Sequence, residues 1–194
     1  CIGLKRFYDF FSAFCCHKHR RYPNVHIKVT NQTSIACAKL LESGQVDFAI
    51  TNYPNSGLSN TQNVRIIREF KDVFVANDEY KELRGKTISL KDLKRFPILM
   101  LDRKSTTSEF LHSMFQRHQL DLVPEIELSS NDLLIDLARI GLGVAFVPDY
   151  CIPDNERSLF KVQIEEELPT RQIVVASNDS LPISQAAKQF MEML

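Results

Sequence analysis

The chain has 194 residues, of which 44% are hydrophobic and 25% charged, a composition typical of a globular protein with a substantial core. Lysine plus arginine and aspartate plus glutamate each number 24, so the formal net charge is zero. This balance argues against a module whose main task is to grip phosphate backbones. No apolar run is long enough to span a bilayer, so we expect no membrane partner.

The five cysteines are odd in number and irregularly spaced, which favours a reducing compartment over a disulfide framework. The chain shows no basic stretch followed by an apolar signal core. We therefore predict a cytoplasmic protein. Because the sequence opens on what resembles the end of a strand, we also expect it to be a fragment.

The first part of the sequence alternates helix-like and strand-like segments. Phenylalanines at helical spacing predict an amphipathic helix over residues 5–21, and apolar-polar alternation predicts a strand over residues 25–29. A helix around residues 35–41 and a strand over residues 46–50 follow. This β-α-β-α-β opening predicts a mostly parallel sheet covered by helices.

A second α/β round follows a polar loop at residues 53–62. Apolar stripes predict helices around residues 110–115 and 133–140 and a final helix over residues 183–194. The charged segment 78–86 also favours a helix. The strands are expected at residues 64–67, 72–76, 97–101, 125–128, 144–147, 160–164 and 172–177.

Polar side chains occupy the points where predicted strands lead into helices: residues 30–34, 102–107 and 129–131. Thr51 and Asn52 follow a further strand. In open α/β sheets ligands bind beyond the carboxyl ends of strands, where helix N-termini present free N–H groups. The alternative is helix capping alone, as by Thr106 in a capping box. Because the junctions fall at one end of the inferred sheet, we expect a cleft for a small anion or carboxylate.

Motifs for catalysis and metal binding are weak. Gly141 and Gly143 lie between a helix and a following strand, the reverse of the order in dinucleotide-binding folds. Cys15 and His19 would share a helix face, but two ligands are too few for zinc. Cys151 has no identifiable base partner. We therefore predict no catalytic residue, no metal and no cofactor.

Four segments, in family order, resemble the effector domains of LysR-type transcriptional regulators, and the resemblance covers essentially the whole chain. The segments are residues 22–29 (Tyr-Pro-Asn-Val-His-Ile-Lys-Val), 40–50 (Leu-Leu-Glu-Ser-Gly-Gln-Val-Asp-Phe-Ala-Ile), 88–93 with 97–98 (Ile-Ser-Leu-Lys-Asp-Leu and Pro-Ile) and 138–148 (Ala-Arg-Ile-Gly-Leu-Gly-Val-Ala-Phe-Val-Pro).

The resemblance implies a two-lobed fold like type 2 periplasmic binding proteins, each lobe a mostly parallel sheet flanked by helices. Lobe I would comprise residues 1–73 and 170–194, and lobe II residues 74–169, joined by crossing hinge strands. The ligand would lie between the lobes. By motif position, the effector-binding residues would be Thr33, Ser34, Thr51, Asn52, Ser105, Thr106 and Asn131.

One departure from the family concerns the first junction. Members usually carry Ser or Thr shortly after the first Ile-Gly, whereas Gly3 here leads into Leu4, Lys5 and Arg6. Either that contact is lost, or Lys5 or Arg6 supplies a cation in its place.

The resemblance also implies a function. The chain would be the small-molecule effector-sensing and oligomerisation domain of such a regulator, a homodimer or tetramer without catalysis, and DNA would be bound only through an N-terminal domain absent from this sequence. The alternatives are a solute-binding protein of a transport system and an enzyme on the same scaffold with Cys151 attaching a cofactor or substrate.

Overall fold

The computed structural model describes residues 25–59 and 62–194. The helix predicted over residues 5–21, the candidate cations Lys5 and Arg6, and the pair Cys15 and His19 lie outside these residues. The chain forms two compact units. Unit 1 contains the described residues up to Glu69 together with Gln172–Leu194, and unit 2 contains Phe70–Arg171.

Unit 1 is built from two helices and three strands within the described ranges. They are α1 (Ser34–Glu42), β1 (Phe48–Tyr53), β2 (Gln62–Phe70), which ends on the first residue of unit 2, β9 (Arg171–Asn178), which begins on its last, and α5 (Gln185–Met191). The strand order is β1-β9-β2, and β1 runs antiparallel to β9. Leu41, Ala49 and Ala176 are buried between α1 and this sheet.

The strand predicted over residues 25–29 is wrong, because this segment has no regular secondary structure. Val25, Ile27 and Val29 are 38%, 43% and 50% exposed. The alternating pattern is present, but a strand needs a hydrogen-bonded neighbour, and none of the described strands pairs with this segment.

Unit 2 holds a six-stranded sheet. Its core includes Phe74, Phe115 and Phe146, all fully buried. Its elements are β3 (Asp72–Ala76), a 3-10 helix (Asp78–Leu83), β4 (Thr87–Ile88), α2 (Leu90–Leu93), β5 (Ile98–Leu101), α3 (Thr106–Arg117), β6 (Ile126–Leu128), α4 (Asn131–Arg139), β7 (Val144–Pro148), a 3-10 helix (Asp149–Cys151) and β8 (Phe160–Ile164). The strand order in the sheet is β4-β8-β3-β7-β5-β6.

The α/β fold class is confirmed, and the sheet of unit 2 is mixed. Strand β5 runs parallel to both β6 and β7, and β4 runs parallel to β8. Helix α3 joins β5 to β6, the kind of crossover that parallel neighbours require. Strand β3 runs antiparallel to both β7 and β8. Its amino end therefore lies at the same edge of the sheet as the carboxyl ends of β5, β6 and β7.

The turn between α4 and β7 requires glycine at two positions. Gly141 has a φ of +80°, and a Cβ there would lie 2.7 Å from the side chain of Glu79. A Cβ on Gly143 would lie 2.5 Å from the carbonyl oxygen of Pro97. These glycines let the chain turn and approach β5 closely. They serve packing in this turn.

No helix in residues 25–59 and 62–194 is long and apolar enough to cross a membrane.

Candidate functional site

The helix-starting loops that follow β5 and β6 lie side by side in unit 2. The two strands are parallel neighbours, with Leu101 opposite Leu128 at their carboxyl ends. The backbone N–H of Asp102 donates to the carbonyl oxygen of Leu128 at 2.9 Å, so the pairing continues into the loop. Because α3 begins five residues after Leu101 and α4 three residues after Leu128, both helix starts lie at one edge of the sheet.

The start of α3 combines a hydroxyl cap with free backbone donors. The Oγ of Ser105 accepts the N–H of Ser108 at 3.1 Å, and its carbonyl oxygen accepts that of Glu109 at 3.0 Å. Ser105 is therefore the N-cap, one residue before the Thr106 that the sequence suggested. The N–H groups of Thr106 and Thr107 have no acceptor within the helix by its geometry. Together with the helix dipole, they favour an anion at this position.

The start of α4 presents an amide side chain. Ser130 is its N-cap, and the Ser130 Oγ accepts the N–H of Leu133 at 3.3 Å. The predicted residue Asn131 is the first residue of the helix. Its Oδ1 is buried and has no hydrogen-bond partner in the described part of the chain. A buried acceptor of this kind favours a ligand that brings a donor.

Thr33 is the N-cap of α1 in unit 1, where its Oγ1 accepts the N–H of Ala36 at 3.3 Å. The side chain therefore does what the capping alternative predicted, and it is only partly buried. Capping does not exclude a ligand, because a hydroxyl oxygen has a second lone pair and its own proton.

Ser34, Thr51 and Asn52 form one buried network in unit 1, with Asn55 at its centre. The Nδ2 of Asn55 donates to the carbonyl oxygen of Ser34 and to the Oγ1 of Thr51, both at 2.9 Å. The Oγ of Ser34 accepts the backbone N–H of Asn52 at 3.3 Å. This network ties the loop after β1 to the first turn of α1. Sequence reasoning missed Asn55 because it lies in a polar loop among similar residues.

Unit 2 also contains a buried ion pair that sequence reasoning missed. Arg171 is 3% exposed and Asp72 is 1% exposed, and the Nη1 of Arg171 donates to the Oδ2 of Asp72. The same Nη1 lies 3.4 Å from the Oγ1 of Thr107 in the first turn of α3. Burial raises the pKa of Asp72 against the opposing effect of Arg171. No local pattern signals a pair that is 99 residues apart in the sequence.

A groove of about 300 Å³ lies in unit 1, with Lys28, Phe48 and Phe190 among its lining residues. None of the predicted effector-binding residues lines it. In the described residues, no group of three or more His, Cys, Asp and Glu side chains could hold a metal ion.

Comparison with known proteins places this architecture in a family. A family model described as the LysR substrate binding domain matches residues 16–194. The HTH-type transcriptional regulator BsdA of Bacillus subtilis is 27% identical over 178 residues, which cover 89% of this chain and 60% of BsdA. The HTH-type transcriptional activator CmpR of Synechocystis is 25% identical over 133 residues, or 69% of this chain and 43% of CmpR. The chain thus spans about half the length of these relatives.

Two solved structures share the fold. The regulatory domain of CcmR from Synechocystis PCC6803, in complex with 2-PG, has a TM-score of 0.84 and 17% identity, covering 96% of this chain and 90% of that chain. The effector binding domain of QuiR in complex with shikimate has a TM-score of 0.79 and 16% identity, covering 98% and 89%.

Proposed function

Since this chain belongs to the family of LysR substrate binding domains, we propose that it is the effector-sensing domain of a LysR-type transcriptional regulator. It binds a small anionic or carboxylate metabolite and catalyses no reaction. The names of BsdA and CmpR support the regulator, and the small molecules bound by CcmR and QuiR support the sensing role. The family prediction made from the four sequence segments is confirmed.

The observation that carries the proposal is the pairing of two helix starts at one edge of the unit 2 sheet. Ser105 and Thr106 stand at the start of α3, and Asn131 at the start of α4. The free N–H groups of the first helical turns favour the negative end of a ligand. The unpartnered Oδ1 of Asn131 is available to accept a hydrogen bond from a donor group of the same ligand. A small polar anion fits this set of groups better than an apolar molecule does.

The predicted residues of unit 1 divide into two kinds. Thr33 is exposed enough to meet a ligand while it caps α1. Ser34, Thr51 and Asn52 are held in the network around Asn55. We keep Thr33 as a candidate contact. We propose that the other three influence effector binding indirectly, because their network fixes the position of the loop after β1.

The regulatory mechanism is a population shift. An effector that binds one arrangement of the domain more tightly than another changes their ratio by its differential affinity. In the proposed regulator this domain also forms the homodimer or tetramer, in the cytoplasm, and a segment outside these 194 residues binds DNA. The formal net charge of zero agrees with a chain that senses the effector while another segment binds DNA.

A ligand screen with matched variants tests the proposal. Thermal shift with a metabolite panel that includes 2-PG and shikimate identifies an effector, and calorimetry then compares the wild type with Ser105→Ala and Thr106→Ala. We expect each variant to bind about tenfold more weakly, the effect of losing one hydrogen bond to a charged group. Thr87→Ala, which alters an exposed threonine on β4, is the control and should bind normally. If an effector binds both variants as tightly as the wild type, the site is wrong.

A further inference from the structure

The buried pair of Arg171 and Asp72 lies at the same sheet edge as the two helix starts. Asp72 begins β3 and stands opposite Pro148, which ends β7. Because β7 is parallel to β5, this is also the edge where β5 ends and α3 begins. The contact between Arg171 and Thr107 confirms that the guanidinium reaches the first turn of α3.

The plane of the Arg171 guanidinium is held from several sides. Its central carbon lies 5.2 Å from the ring centroid of Phe70 and 5.5 Å from that of Phe110. Asp72 and Thr107 engage its Nη1. These contacts hold the guanidinium in one orientation. Its opposite edge, formed by Nε and Nη2, therefore points in a fixed direction.

That edge has no partner in the described part of the chain. Both Nε and Nη2 of Arg171 are buried without a hydrogen bond, and Arg171 as a whole is 97% buried. Buried donors on a charged group are expensive to leave unpaired. The Nε–Nη2 edge presents two parallel N–H groups, the geometry that binds a carboxylate through both oxygens.

Two acceptors without partners belong to Asp72, which pairs with Arg171, and to Asp149, whose charge acts on Asp72. The Oδ1 of Asp72 and the Oδ1 of Asp149 are buried and make no hydrogen bond to any described residue. Asp149 follows Pro148, its N–H bonds to the carbonyl oxygen of Lys71 at 2.8 Å, and its charge acts on Asp72. Two carboxylates repel a ligand that offers only negative charge, but they accept N–H or O–H donors.

We propose that Arg171 binds the carboxylate of the effector through its Nε–Nη2 edge, while Asp72 and Asp149 accept a hydroxyl or ammonium donor of the same molecule. The effector is then a small hydroxy- or amino-carboxylate, and its carboxylate also meets the free N–H groups at the start of α3. This inference rests on the proposed function and adds the charged residue and the chemical class of the ligand. Binding requires the first turn of α3 to yield slightly, because the donors are buried.

Nuclear magnetic resonance of the arginine side chain tests this directly. The 194-residue chain, labelled with ¹⁵N, is titrated with acetate, glycolate and glycine, which share a carboxylate and differ in carrying no donor, a hydroxyl or an ammonium. The Nε–H resonance of Arg171 is identified by its loss in Arg171→Lys. Should that variant not fold, through-bond experiments on the wild type assign it. The Nε–H of Arg139, which donates to Glu156 at 2.9 Å, is the internal control.

We expect glycolate or glycine to shift the Arg171 resonance in a saturable manner, at a concentration about tenfold lower than acetate requires. The Arg139 resonance should not move. Which of the two binds more tightly distinguishes a hydroxyl from an ammonium donor. Equal binding of all three overturns the role of Asp72 and Asp149, and an unmoved Arg171 resonance overturns the inference altogether.

The backbone amides of Thr106 and Asn131 separate this inference from the proposed function. If these amides shift with a metabolite while the Arg171 resonance does not, the effector site stands and Arg171 is structural. If neither responds to any metabolite of the panel, the proposed function fails as well.

Discussion

Asp102 donates its backbone N–H to the carbonyl oxygen of Leu128 at 2.9 Å, the last rung that joins β5 to β6 before both strands lead into helices. This bond sets the register of the two loops that follow. It therefore places Ser105, the N-cap of α3, and Ser130, the N-cap of α4, at a common edge. An effector at this edge can reach the starts of both α3 and α4.

The first prediction separates capping from ligand binding. Ser105→Ala and Ser184→Ala each remove an N-cap hydroxyl, which accepts from Ser108 in α3 and from Ala187 in α5, both at 3.1 Å. Each variant should lower the free energy of unfolding by about 1 kcal/mol, measured by urea denaturation. Calorimetry should show weaker effector binding for Ser105→Ala alone. Equal losses of affinity would mean that Ser105 acts only through stability.

The second prediction concerns the unpartnered acceptor of Asn131. Because its Oδ1 is buried without a hydrogen bond, the amide of Asn131 contributes little to the stability of the ligand-free protein, and Asn131→Ala removes only this amide. The free energy of unfolding should change by less than about 0.5 kcal/mol, while the affinity for the effector falls about tenfold. Denaturation and calorimetry on the same samples check both. A large loss of stability with unchanged affinity would show that Asn131 serves the fold.

The third prediction tests the network around Asn55. Asn55→Ala breaks bonds to Ser34 and Thr51, both at 2.9 Å and buried, and leaves their polar atoms unpaired. The free energy of unfolding should fall by about 2 kcal/mol, measured by urea denaturation. Asn155→Ala, at an exposed loop position, is the matched control and should change it by less than about 0.5 kcal/mol. Similar values for the two variants would remove the structural role of Asn55.

The fourth prediction is a pH dependence at Glu156. Burial acts to raise the pKa of Glu156, but hydrogen bonds from Arg139 and from the N–H of Ser158 outweigh it and hold the pKa below the usual 4.5. A lowered pKa contributes stability that is complete above pH 4.5 and is lost as the pH falls through the folded-state pKa.

The variant Glu156→Gln should therefore be less stable than the wild type by about 1 kcal/mol near neutral pH. The difference should shrink as the pH falls below 4.5. Urea denaturation over a pH series measures it, with the exposed Glu167→Gln as the control. A difference that grows towards acid pH would reverse the sign of the argument.

Sequence reasoning was most successful where the information is local. The apolar pattern predicts the strands Asp72–Ala76 and Phe160–Ile164 with the ends that the structure has. The hydroxyl residues before α1, α3 and α4 are identified as helix starts, because capping depends on three or four neighbouring residues. The position of the N-cap was one residue off at Ser105, since several hydroxyl residues in a row can each cap.

The wrong or missing predictions concern contacts between residues that are far apart in the sequence. The segment around Ile27 has the alternation of a strand but pairs with none of the described strands, and pairing is not encoded in the segment itself. Arg171 and Asp149 come to Asp72 only through the order of strands in the sheet. Asn55 looks like any other polar loop residue until its partners are placed.

The most direct test of the effector site is a crystal structure of the chain with the metabolite identified by thermal shift. The account predicts ligand density at the edge of the unit 2 sheet, within hydrogen-bonding distance of Thr106 and Asn131. Density in the groove beside Phe48 and Phe190, with neither of those residues in contact, would contradict it.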